Sequence, residues 1–147
     1  MARTLGLDYG ERRMGFAVSD PSEILATPLC VVTIRDLEDG VRAVCRLVQE
    51  TGAERLVVGL PVNMNGTRGE MVARVEAFLE RLAAVLSIPV MTWDERLTST
   101  MVERAMRAGG ASRARRDSLR DMLAAQAILQ SYLDARQPPQ PLPELDA

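Results

Sequence analysis

Hydrophobic positions change their spacing several times along the chain, and each change marks an element. Residues 3–9 (RTLGLDY) read as a short buried strand. A turn at 10–13 and a second apolar run at 14–19 follow closely enough to make a hairpin. A third strand is expected within 28–34 (PLCVVTI). The period then becomes helical: Leu37, Val41, Val44, Leu47 and Val48 share one face of a helix over about 37–51, ended near Gly52. Residues 55–60 (RLVVGL) read as a fully buried strand, and a polar loop, 61–69 (PVNMNGTRG), follows it.

A long amphipathic helix is predicted over about 67–86, with Met71, Val75, Phe78, Leu82 and Leu86 on its apolar stripe. Another strand is expected at 89–93, then a helix over about 98–108, an Arg-bearing loop containing glycine at 109–116, and a last helix over about 118–135. The Pro-rich segment 137–147 (QPPQPLPELDA) reads as a disordered tail beyond a domain at 1–136. The order is β-β-β-α-β-α-β-α-α. An antiparallel three-stranded meander feeding α/β crossovers implies an α/β fold with a mixed five-stranded sheet and helices on both faces. No internal repeat is visible.

Composition narrows the chemistry more than the class. A chain of 147 residues makes one domain with an ordinary core. It contains no His, and all 18 basic residues are Arg. That excludes a Ser-His-Asp triad, a Cys-His pair, a Schiff-base lysine, the lysine of a P-loop and every His-bearing zinc site. What remains is carboxylates, hydroxyls, Arg, backbone amides and a hard metal. Cys30 and Cys45 sit among apolar neighbours with no CxxC spacing, and they read as buried, inert thiols. No apolar run has the length of a membrane span and nothing resembles a signal peptide, so a cytoplasmic protein with no membrane partner is expected.

The net charge of −2 does not announce a nucleic-acid binder, but its distribution is uneven. Arg104, Arg107, Arg113, Arg115, Arg116 and Arg120 face only Glu103 and Asp117 across one stretch. Such a patch is either a phosphate-binding surface, through counterion release, or a solvated face.

Three carboxylates stand in awkward places. Asp8 lies near the end of a strand expected to be central, where it is desolvated unless partnered; the alternative is a turn-forming Asp in DYG. Asp121 falls at i of a stripe continued by Ala124, Ala125, Ile128 and Tyr132, so it shares the core-facing side of the last helix. A first-turn acid favoured by the helix dipole is the bland alternative. Glu95, with Asp94 beside it, follows a strand whose carboxyl end is where open α/β sheets collect functional groups. Alternation lets only one of that pair face a given site, and a solvated acid capping the next helix is the other reading. Acids from a strand, a second strand end and a helix suit Mg²⁺ or Mn²⁺, and two such ions cleave phosphodiesters without His.

The segments LGLDYGERRMGFAVSD, VVGLPVNMNGTRGE, WDERLTST and DMLAAQAILQSYL together closely resemble the YqgF/RuvX family of RNase H-like proteins, in the family's order, across residues 5–133. The resemblance implies an RNase H-like fold and a cytoplasmic nuclease needing Mg²⁺ or Mn²⁺. The family is linked to maturation of the 5′ end of pre-16S rRNA and was earlier proposed to resolve Holliday junctions. Matched by motif, its acids fall on Asp8, Glu95 and Asp121, the positions already singled out. The first hairpin commonly carries Lys where Arg12 or Arg13 stands here, which preserves the charge.

Further binding roles are expected around those acids. Asn63, Asn65, Gly66 and Thr67, between a strand end and a helix start, suit a phosphate or else a turn with an N-cap. Arg12, Arg96 and Thr98 are candidates for gripping the scissile strand, and Arg113, Arg115 and Arg116 for the nucleic-acid backbone. Trp93 reads as core ahead of a base-stacking platform. Asp94, Asp117 and Asp20 are candidates for a fourth metal ligand.

The leading expectation is a metal-dependent nuclease acting on pre-rRNA. Its rivals are a resolvase cutting four-way DNA junctions and a non-catalytic RNA-binding assembly factor. Single-stranded DNA is a further substrate class, and monomer and homodimer both remain open.

Overall fold

The computed structural model describes residues 3–61, 69–95 and 113–136, the last stretch with side chains from residue 119 onward. Strands β1 (Arg3–Asp8), β2 (Arg13–Ser19) and β3 (Ala26–Thr33) come first, then helix α1 (Leu37–Thr51). Strand β4 (Ala53–Leu60), helix α2 (Glu70–Val85), strand β5 (Val90–Asp94) and helix α3 (Arg113–Arg136) complete the order. The five strands form one sheet in the order β3-β2-β1-β4-β5. β1 pairs antiparallel with β2 and β2 with β3, while β4 runs parallel to both β1 and β5. The mixed α/β sheet read from the sequence is the one observed.

Strand parity divides the interior into two cores. Leu5, Leu7, Met14, Phe16, Leu56 and Val58 point to one face and are covered by Val41, Val44 and Leu47 of α1 and by Val75, Phe78 and Leu82 of α2. Ala17 and Val57, with Met91 and Trp93, point to the other and meet Ala125, Ile128, Leu129, Tyr132 and Leu133 of α3. Trp93 is therefore held in packing: its ring meets Tyr132 edge-on at 5.7 Å, and its Nε1 donates to Ser131 Oγ at 2.9 Å. The helix boundaries have local causes. Asp36 caps α1 by accepting from the Asp39 N–H at 2.8 Å, and Gly52 closes it in the left-handed region at φ 69°.

Of the boundaries that differ from the expectation, three have an evident cause. β3 begins at Ala26 rather than 28: Ala26 pairs with Ser19 of β2, and two glutamines of α3 satisfy its outward backbone groups, where Gln130 Oε1 accepts from Ala26 N–H and Gln126 Nε2 donates to Ala26 O. Pro28, which lacks an N–H, is tolerated since β3 is an edge strand. β4 begins at Ala53, directly after the α1 cap; its exposed Glu54 hides the alternation. The last helix begins at Arg113, not near 118, so Arg113, Arg115 and Arg116 lie in helix rather than loop. Arg and Ala are good helix formers, and the loop-like pair Gly109–Gly110 ends before them. The helix expected at 98–108 and the tail at 137–147 lie outside the described residues. Both cysteines are free thiols, as expected, but they are partly rather than deeply buried. Among the described residues no helix is long and apolar enough to cross a membrane.

Candidate active site

Asp8 ends β1, and its neighbours decide which way it faces. Leu7 is fully buried under α1 and α2, and the Tyr9 ring stacks on Phe78 of α2 with centroids 4.5 Å apart. The residue between them is turned to the opposite face, toward α3. In register, Asp8 pairs with Gly15 of β2, Leu7 with Val58 of β4, and Gly59 of β4 with Trp93 of β5. Two residues past Trp93, Glu95 comes to the α3 side as well. Parity sends Asp94 the other way, so of the two acids Glu95 is the one on the α3 face.

Glycines make room for this meeting. A Cβ on Gly59 would stand 2.6 Å from Glu95 Oε1 and 2.4 Å from Ile128 Cδ1, so any larger residue would expel the Glu95 side chain from its place. A Cβ on Gly15 would stand 2.0 Å from the Asp121 carbonyl oxygen, so β2 and α3 touch backbone to backbone there. Strand glycines at a close approach carry this positional meaning. The sequence reading passed over both; the signal was present in the alternation, since Gly15 and Gly59 each interrupt an otherwise apolar strand.

The electrostatics follow from crowding acids. Asp8 keeps little exposed surface, and its carboxyl is pushed well above the ordinary value of 3.8. Burial is the largest cause; a hydrogen bond with the Glu95 carboxyl and the charges of Glu95 and Asp121 add to it, while Arg120 opposes. Two carboxyl groups share a hydrogen bond only when one is protonated, so this contact works in the same direction as burial, holding the Asp8 carboxyl above its ordinary value. Asp121 meets a cation instead: its Oδ2 lies 3.0 Å from Arg13 Nε. Arg13 is a residue the sequence reading left out of the site. Its period-two relation to Gly15 puts it on the α3 face, and that was legible.

The other candidates divide clearly. Arg12 is exposed in the β1–β2 turn, where its carbonyl accepts from Ile34 N–H at 2.8 Å. Asn63, Asn65, Gly66, Thr67, Arg96 and Thr98 lie outside the described residues, as does any base-edge contact they make. Arg113, Arg115 and Arg116 fall on the first turns of α3, roughly one to two turns before Asp121. Asp20 is removed as a fourth ligand: its Oδ1 accepts from Ile24 and Leu25 N–H in the β2–β3 turn, at the opposite end of the sheet.

Comparison with known proteins fits this arrangement. A family model described as RuvX, Holliday junction resolvase, matches residues 2–135. The chain belongs to the RuvX family. Among its RuvX-type relatives, a provisionally named pre-16S rRNA nuclease of Chloroflexus aggregans is 45% identical over 135 residues, covering 92% of this chain and 95% of that protein. One of the same name from Caldanaerobacter subterraneus is 43% identical, covering 91% and 97%. Among solved structures, T. thermophilus RuvC in complex with a Holliday junction substrate shares the fold at a TM-score of 0.58 and 17% identity, covering 91% of this chain and 95% of that one. The Fowlpox virus resolvase in complex with Holliday junction DNA shares it at 0.56 and 9%, covering 90% and 97%.

The donor set suits a hard divalent cation. Three carboxylates from β1, the end of β5 and α3 share one face, and the burial and like-charge crowding that raise Asp8 are what such a cation would offset. Among the described residues no three acidic or thiol groups are already gathered as a cage.

Proposed function

We propose that this RuvX-family chain is a metal-dependent nuclease that hydrolyses phosphodiester bonds, with Asp8, Glu95 and Asp121 holding Mg²⁺ or Mn²⁺. The observation that carries the reading is the hydrogen-bonded Asp8–Glu95 pair with Asp121 close enough to perturb it. Burying acids on one face is costly, and a cation bound among them would relieve that cost. When bound, the ions supply positive charge at the scissile phosphate and ease attack by water. The chain's own share is to fix the carboxylates on rigid elements: Asp8 at a central strand, Glu95 in the space left by Gly59, Asp121 on a helix seated against Gly15.

The substrate we favour is pre-16S rRNA, supported by relatives of that name at 43% to 45% identity over nearly their full length. A resolvase acting on four-way DNA junctions is the second reading, supported by the family description and the shared fold. A non-catalytic RNA-binding role fits less well, because unmetallated acids repel phosphates. Arg12, Asn63, Asn65, Thr67, Arg96, Thr98, Arg113, Arg115 and Arg116 are proposed to hold the nucleic acid.

The test is a side-by-side cleavage assay with Mn²⁺ on a 5′-extended rRNA precursor, unstructured single strands and a four-way DNA junction, comparing wild type with Asp8→Asn. Precursor-selective cleavage lost in the variant is expected. Paired symmetric nicks in the junction would promote the resolvase; intact binding with no cleavage of any substrate would favour the non-catalytic role.

A further inference from the structure

Arg13 is built into the hairpin more firmly than its exposure suggests. It opens β2, where it pairs with Thr33 of β3. Its carbonyl passes so close to Gly10 that a Cβ there would stand 2.5 Å from the oxygen. With its backbone fixed on both sides, strand parity aims the side chain across the α3 face, two residues before the glycine that seats Asp121. The result is an ion pair of unequal partners. Arg13 Nε lies 3.0 Å from Asp121 Oδ2, yet the Arg13 side chain is 44% exposed and that of Asp121 only 16%. The cation arrives from the solvent side; the carboxylate is fixed to the helix.

We propose that Arg13 is a positioning residue that holds the place of a divalent cation at Asp121 and gives up that carboxylate oxygen when the cation binds. The inference rests on reading Asp8, Glu95 and Asp121 as the metal ligands. A guanidinium and a divalent ion cannot both crowd one oxygen without strong repulsion. Arg cannot escape by losing its proton, so it must move, and only the half-exposed partner of this pair has somewhere to go. Displaced, its planar fork stands at the mouth of the site, suited to grip a phosphate oxygen pair. Cation entry and phosphate recognition are thereby linked through one side chain, each favouring the other.

The experiment titrates Mn²⁺ alone into the full chain without nucleic acid, following free Mn²⁺ by its paramagnetic resonance signal. Wild type is compared with Arg13→Ala, Arg13→Gln and Asp121→Asn, and thermal unfolding is recorded in chelator. Arg13→Ala should bind Mn²⁺ about fivefold or more tightly than wild type, in the range of ordinary coupling between sites. Its unfolding midpoint in chelator should fall, and Mn²⁺ should raise that midpoint by more than in wild type. Arg13→Gln reaches as far as the Arg Nε position and keeps an N–H donor there without the charge, so it should share the tighter binding and serves if the Ala variant does not fold. Unchanged or weaker Mn²⁺ binding in a folded variant overturns the proposal, because a residue that merely braces Asp121 would weaken the site on removal. Failure of the underlying reading looks different: Asp121→Asn would then leave wild-type Mn²⁺ affinity untouched, and both would fall.

Discussion

Gly15 of β2 and Asp121 of α3 meet through their backbones: a single added methyl on Gly15 would stand 2.0 Å from the Asp121 carbonyl oxygen and 3.1 Å from its Cα. The position of the third carboxylate is thus set by a residue with no side chain. Gly15→Ala must push α3 off the sheet, and overpacking of this kind costs roughly 1–3 kcal/mol. The expected outcome is a lower urea midpoint together with loss of cleavage larger than the destabilisation explains, read by assaying the variant under conditions where it is fully folded. Wild-type turnover from a folded Gly15→Ala protein would detach Asp121 from the reaction.

Asp8→Asn, Glu95→Gln and Asp121→Asn should each reduce cleavage by more than about 100-fold, beyond what loss of an outer hydrogen-bond partner costs a metal site. Nucleic-acid binding should persist in all three. Chelation should stop wild-type cleavage, and Mg²⁺ or Mn²⁺ should restore it. A variant that keeps near wild-type turnover removes its residue from the site.

The crowding at Asp8 makes stability depend on pH in a definite direction. Its carboxyl is raised in the folded protein, so the folded state holds that proton more tightly than the unfolded chain. The contribution is fully present below the unfolded value near 3.8 and is lost as pH rises through the raised folded value. In chelator, Asp8→Asn should therefore be more stable than wild type at neutral pH, with the advantage shrinking toward about pH 4. Thermal unfolding of both proteins across that range reads it. An advantage that is constant with pH, or largest in acid, would contradict the raised carboxyl.

The arginines at the start of α3 offer a separate test. Replacing Arg113, Arg115 and Arg116 with Ala should weaken nucleic-acid binding and flatten its salt dependence, by about 0.7–0.9 in log–log slope for each phosphate no longer neutralised. An unchanged slope returns the three to the role of a solvated helix surface.

The order of the described elements, the mixed sheet and the shared face of the three candidate acids are legible because each follows from a short-range pattern. Short apolar runs mark β1, β2 and β4; the helical period marks α1 and α2; and the shared stripe of Asp121 with Ala125, Ile128 and Tyr132 holds, since all three of those neighbours are buried on the sheet side of α3. What escaped depends on contacts distant in sequence. Ala26 extends β3 through its pairing with Ser19 of β2, and Gln126 and Gln130, a hundred residues on, satisfy its outward backbone groups. Gly15 and Gly59 matter through what would collide with a Cβ; the sequence marks them as interruptions of apolar strands but not what they meet. Arg13 was passed over for Arg12 because charge alone does not distinguish neighbours; their faces do. The start of α3 was placed late because Gly109–Gly110 weighed more heavily than the helix-favouring run after it.

The α3 helix also has a consequence in time. It alone, among the described elements, covers the sheet face bearing Ala17, Val57 and Trp93, and it alone brings Asp121. A growing chain that has made β1 to β5 exposes that bare surface and lacks the third acid. Docking of α3 closes the second core and completes the acid set in one event. If Asp8, Glu95 and Asp121 are the metal ligands proposed above, a half-made or partly opened molecule is unarmed, and the capacity to cut nucleic acid comes only with the finished fold.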